Sequence, residues 1–173
     1  TQSRPTPKGT PADGWLVLEP RLHARRSPGN TIMQELALRA HGEGDDDQLV
    51  ARNTSKGCGA VMRAAPFGLA FKPPQRTFES AVEDGRVTHG HPSGYLASGY
   101  LATTVGVLAR GGTLRRAMAV SDEALRQHTG HEELAAAIAG ARGIAGRRIP
   151  TPADLEALGG GWTGEEALAI ALA

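Results

Sequence analysis

No stretch of this chain alternates apolar and polar residues with the period of two that a half-buried strand needs. No Asn-Gly or Asp-Gly turn joins two alternating runs either. What recurs is an apolar side chain three or four residues after the last. Phe78, Ala81, Val82 and Gly85 make one such stripe. Leu96, Tyr100, Thr104, Val107 and Leu108 make another, which runs from Pro92 to the Gly111-Gly112 stop. Leu114, Ala117, Met118 and Leu125 follow, then Leu134, Ile138 and Ala141. This spacing puts each set on one face of an α-helix. Thr31 with Gln34, and Thr163 with Glu166, have capping-box spacing, while Thr113 and Thr151-Pro152 are further helix starts. Near Ala60 a helical pattern begins again, and Pro66 must kink or restart it. The fold class expected is all-α.

Composition supports that class. Two Trp, two Tyr and three Phe are all the aromatic rings among 173 residues, beside 23 Gly. Such a core is built from Ala, Leu, Val and close backbone approach, which suits packed helices better than a β-sandwich. The length suits one domain with its own core. Residues 1–14 are polar and Pro-rich and read as a flexible segment; residues 15–173 read as the helical domain, with Trp15 to Leu18 as a patch that docks on it. Residues 41–53, with Asp45-Asp46-Asp47, read as a loop. The last helix starts well at Thr163 but has no stop signal before Ala173, so it reads as a helix cut inside a larger fold.

Lys+Arg 19 against Asp+Glu 18 leaves a net charge of +1, too little for a nucleic-acid partner. No apolar run is long enough for a bilayer and no signal peptide opens the sequence, so a membrane is not expected and a cytoplasmic location is. The single cysteine, Cys58, excludes an internal disulfide and a zinc site built on several cysteines.

Two stretches could carry chemistry. In the first, from Asn53 to Pro66, Gly57 and Gly59 precede a helix start. Without Cβ atoms a ligand can approach the main chain there, and the helix amides and dipole favour phosphate or diphosphate. An ordinary turn is the alternative. Cys58 could be a nucleophile at that helix start, or a small loop residue. In the second stretch, His89-Gly90-His91 could ligate a metal or face a ligand. Otherwise His91 caps the helix at Pro92 and His89 is a satisfied buried ring. Asp45-Asp46-Asp47 could take a cation, or be a solvated acidic loop. Thr103-Thr104 and Met118 read as packing.

Taken in order, four pieces resemble the ADP-ribosylglycohydrolase family: Arg26 to Thr31, Asn53 to Pro66, Thr88 to Pro92, and Gly159 to Leu168. The resemblance implies a multi-helix all-α domain that binds ADP-ribose beside two divalent cations, usually Mg²⁺, and hydrolyses its glycosidic bond to a modified side chain or small molecule. On that likeness Ser55, Lys56, Gly57, Cys58 and Gly59 cradle the phosphates, and Met62 lines the pocket behind them. His89 contacts the ADP-ribose, and Gly29 and Asn30 lie near the distal ribose. The family's Thr-Asp-Asp-Thr-like and Asp-x-Asp-Ser/Thr metal runs are not found, so the chain reads as the family's central portion, inactive alone and prone to self-association through exposed apolar surface. Two other readings stay open: a metal-free ADP-ribose-binding module, and an unrelated His-x-His metalloenzyme.

Overall fold

The computed structural model describes residues 19–24, 26–40, 50–146 and 149–173. The 1–14 segment, the Trp15 to Leu18 patch and Asp45-Asp46-Asp47 lie outside the described residues. Among the described residues there are eight α-helices, two short 3-10 turns and no strand, so the fold is all-α. The helices are α1 (Asn30–Ala40), α2 (Ala65–Ala70), α3 (Pro74–Arg86), α4 (Pro92–Ala109), α5 (Leu114–Leu125), α6 (Glu132–Ala145), α7 (Pro152–Glu156) and α8 (Gly164–Leu172). None of them is long and apolar enough to cross a membrane.

The axis of the fold is α4, packed against α2, α3, α5, α6 and α8. Its eighteen residues carry no charge, and a helix without a polar face is stable only when surrounded. Sequence periodicity suggests one buried stripe on α4. Instead its residues from Ser93 to Thr104 are buried nearly all round. Close packing needs small residues: a Cβ on Gly68 of α2 would lie 2.3 Å from the Ala102 carbonyl oxygen of α4. The core side chains are Phe78 from α3, Leu96 and Tyr100 from α4, Leu134 and Ile138 from α6, and Leu168 from α8. The Tyr100 hydroxyl, otherwise costly to bury, donates to Asp122 at 2.9 Å, and Arg142 donates to the same carboxylate at 2.7 Å. Burial first, and Asp122 next, push the Tyr100 phenol well above its ordinary value.

α3 and α6 follow the expected stripes, and α5 does so except at Leu114, which is exposed. α3 buries Thr77, Phe78, Ala81, Val82 and Gly85, and α6 buries Leu134, Ile138 and Ala141. Thr113 caps α5 by accepting the Arg116 N–H at 3.3 Å. Pro66 does restart the chain: Val61–Arg63 is a 3-10 turn, and α2 begins anew with Pro66 in its first turn. At α8 the Glu166 carboxylate reaches back to the N–H groups of Trp162 at 3.2 Å and Thr163 at 3.4 Å.

α1 departs from expectation. The helix opens at Asn30, so Thr31 is not its cap; the Thr31 hydroxyl instead meets Ser55 Oγ at 3.1 Å. Leu36 and Leu38 are exposed, and the buried residue of α1 is Glu35. A carboxylate is tolerated there because Asn53 donates to it at 2.6 Å.

Candidate functional site

Residues 53–59 pass between the N-terminal ends of α4 and α8, and Asn53 holds the start of this segment. Its Nδ2 donates to Glu35 Oε1 at 2.6 Å and to the Thr88 carbonyl at 3.0 Å. Its Oδ1 accepts the N–H groups of Ser55 at 2.8 Å and Gly90 at 3.1 Å. The side-chain amide thus uses two donors and two acceptor positions, its full capacity. Ser55 Oγ then accepts the Gly57 N–H at 3.2 Å. Beyond it the loop is pinned to the segment before α8. The Lys56 carbonyl accepts the Gly164 N–H at 2.7 Å, Gly57 bridges Thr163, and the Cys58 N–H donates to the Trp162 carbonyl at 3.0 Å.

The Lys56 side chain is committed too. Its ammonium bonds Glu133 at the start of α6 and Glu165 at the start of α8, the latter at 2.9 Å. Glu133 also takes the Ser93 hydroxyl of α4. Those hydrogen bonds raise the Lys56 ammonium above its usual range, and Lys56 and Ser93 hold the Glu133 carboxyl below its own. Lys56 therefore ties α4, α6 and α8 together rather than standing as a lone cation beside the turn.

His89 lies under the turn, 1% exposed. A Cβ on Gly59 would lie 3.1 Å from His89 Cε1 and from Ile32 Cδ1; one on Gly57 would lie 3.4 Å from His89 Nε2. Both glycines thus face the imidazole on their inner side, tightly at Gly59 and at near-ordinary contact distance at Gly57. Expected closeness to a ligand on the outer side is a separate matter. Thr88 Oγ1 sits 2.8 Å from His89 Nδ1 and receives an Arg63 N–H at 2.9 Å. Burial, then the Arg63 charge, push the His89 imidazole below its ordinary value.

The sign of the pH effect follows. The folded state binds a proton on His89 less readily than the unfolded chain does. Folding is therefore unpenalised above the ordinary histidine value of about 6.5, and stability is lost as pH falls below it. We expect the urea midpoint to drop below that pH, and H89N to lose part of the slope. His128, whose imidazole burial also lowers, supplies the remainder. An identical pH dependence in H89N would overturn this assignment.

Several expected roles meet a different geometry. The chain after the turn is the three-residue turn Val61–Arg63, not an α-helix, because Pro66 lacks the N–H that a continuous helix would need. The helix dipole expected behind the glycines is therefore not there. Met62 stands on the surface, 75% exposed. His91 turns away from His89 and caps α4, its Nδ1 accepting the Ser93 N–H at 3.2 Å. The two histidines thus have separate structural partners. Gly29 and Asn30 are exposed and lead into α1, which the Thr31–Ser55 contact brings to the loop. Ser55, Lys56, Gly57, Cys58 and Gly59 are all partly accessible. Residue spacing misses Asn53, Glu35, Glu133 and Glu165. Of these, only the two acidic residues in the first turns of α6 and α8 had a local signal, the preference of helix N-termini for negative charge.

The family model for ADP-ribosylglycohydrolase matches residues 9–173. The chain belongs to the ADP-ribosylglycohydrolase family. No solved structure matches it. Membership makes it a relative of hydrolases that act on ADP-ribosylated substrates and in general depend on a metal. Among the described residues no group of three or more His, Cys, Asp or Glu side chains could hold a metal ion. The side chains described do not fit the two Mg²⁺ ions that the resemblance implies.

Proposed function

We propose that the turn from Ser55 to Gly59 receives the diphosphate of ADP-ribose, in a protein that hydrolyses the glycosidic bond joining ADP-ribose to a side chain or small molecule. Gly29, Asn30, Met62 and His89 belong to the same binding region, His89 by bracing the turn from below. One observation carries the reading. The turn is held rigidly from beneath and from both ends, while its outer side stays accessible. A preorganised main-chain turn is what a diphosphate needs, since its oxygens are bound by amide N–H groups at little ordering cost. Within the turn the Gly57 and Cys58 amides are used by the fold, whereas the Gly59 N–H has no acceptor among the described residues. Hydrolysis would add water across the bond at the anomeric carbon, releasing ADP-ribose and the amine or hydroxyl of the substrate.

Cys58, the chain's only cysteine, offers a direct test. Its thiol sits in the middle of the turn and is partly accessible. Alkylation by iodoacetamide should slow about tenfold when ADP-ribose is present at about ten times its Kd. ADP should protect in the same way and free ribose should not. Binding of ADP-ribose seen by calorimetry, with no change in the alkylation rate, would put the ligand elsewhere and overturn the proposal.

A further inference from the structure

At the far end of α4 from the glycine turn, a cavity of about 200 Å³ opens between α3, α4 and α5. Thr103 lies ten residues beyond Ser93 on α4, roughly 15 Å along the helix axis. Lys72, Arg110 and Arg116 line the cavity, and no acidic side chain does. Among the described residues no carboxylate forms an ion pair with any of the three. The Arg110 guanidinium is locked in place by the carbonyls of Gly106 at 2.6 Å, Phe71 at 2.7 Å and Gly68 at 3.1 Å. Those carbonyls orient its charge without neutralising it.

A second feature points to a guest. Thr103 lines the same cavity, is 1% exposed, and its hydroxyl is buried without a hydrogen-bond partner. A buried donor left unmade costs about 1–3 kcal/mol. Its neighbour Thr104, by contrast, is satisfied by Ser121 at 3.0 Å. The first turns of α3 and α5, at Pro74 and Arg116, also border the space and add their positive ends. Three cations, one of them rigid, thus line a half-open hollow whose wall also carries an unsatisfied hydroxyl.

We propose that this cavity binds a small free polyanion of the phosphate class. Lys72 and Arg116 supply attraction, Arg110 a fixed fork, and Thr103 a hydrogen bond at the base. The volume is below the range of roughly 300–1,000 Å³ that holds a drug-sized ligand, so the guest is a compact anion such as phosphate or pyrophosphate rather than ADP-ribose. The site is separate from the glycine turn and stands whether or not that turn binds ADP-ribose.

The test is calorimetric titration of the protein with pyrophosphate and with inorganic phosphate at low salt. Saturable binding that weakens as salt is added is the expected result. Lys72 and Arg116 are both exposed, so the K72E/R116E double variant should fold; it should bind pyrophosphate at least roughly tenfold more weakly. T103V should bind more weakly than wild type, and protein alkylated at Cys58 should bind as wild type does. The proposal is overturned by absence of binding at low salt, by undiminished binding in K72E/R116E, or by loss of binding on Cys58 alkylation, which would move the anion to the glycine turn.

Discussion

Replacing Gly90 by alanine is expected to cost about 4 kcal/mol of folding stability. The added methyl would lie 1.8 Å from the Asn53 carbonyl oxygen, 2.9 Å from the Asn53 carbonyl carbon and 3.0 Å from the Ala51 carbonyl oxygen. All three are main-chain atoms, so no rotamer change makes room. Relief requires residues 51–53 to back away from residues 88–90. That shift breaks the Gly90 N–H to Asn53 Oδ1 bond, and strains the Asn53 bond to the Thr88 carbonyl and the Ala51 N–H bond to the Arg86 carbonyl at 2.7 Å. For a chain of this size the expected fall in Tm is roughly 10 °C. G143A makes the control. Gly143 lies inside α6 with nothing within 4 Å of its added methyl, so that variant should gain about 0.5–1 kcal/mol from helix propensity. Urea unfolding of both variants decides the matter; a G90A loss below about 1 kcal/mol would mean that the 51–53 segment is far softer than its hydrogen bonds imply.

The contrast between these two glycines marks how far the sequence can be read. A glycine is visible in the sequence, but what crowds it comes from residues thirty-seven positions away, as Asn53 does for Gly90. Gly57 and Gly59 pose the same problem. The spacing shows that a turn favours them, but not that a buried imidazole from residue 89 packs beneath them, most tightly under Gly59. Local signals fared better. The stripes of α3 and α6, the cap at Thr113 and the break at Pro66 depend on neighbours within a turn or two, and all appear where periodicity puts them. The burial of α4 nearly all round from Ser93 to Thr104 follows from its lack of charge, a feature that a single-stripe reading overlooks. In α1 nothing local marks Glu35 for burial, which follows from a loop amide eighteen residues on, while Leu36 and Leu38 face out. Thr103, Gly106, Val107 and Arg110 share one face of α4 by spacing alone, but only packing adds Lys72 and Arg116 to make a cationic hollow.

Changing one atom of Asn53 should have an effect nearly as large as the Gly90 methyl, and one that depends on pH. N53D keeps an oxygen to accept the Ser55 and Gly90 N–H groups but replaces the donor that faces Glu35 at 2.6 Å and the Thr88 carbonyl at 3.0 Å. Two bonds, one of them to a charged acceptor, become contacts between acceptors. At neutral pH two carboxylates then share a partly buried site, and the expected loss is about 3–5 kcal/mol. A shared proton relieves the repulsion, so the pair's apparent folded pKa is raised above the ordinary carboxylate value of about 4. Protons are then held more tightly in the folded state, and the variant regains stability as pH falls through that raised value. His89 and His128, which resist protonation when folded, are present in both proteins, so their effect cancels in the difference. The gap between wild type and N53D should therefore narrow from about pH 8 to about pH 5. N53A, which removes all four bonds without adding a second carboxylate, should narrow the gap less than N53D does. A gap of constant size in N53D would mean that Glu35 and residue 53 separate in the variant. The loop that carries residues 55–59 would then owe its position to its ties with α8 rather than to Asn53.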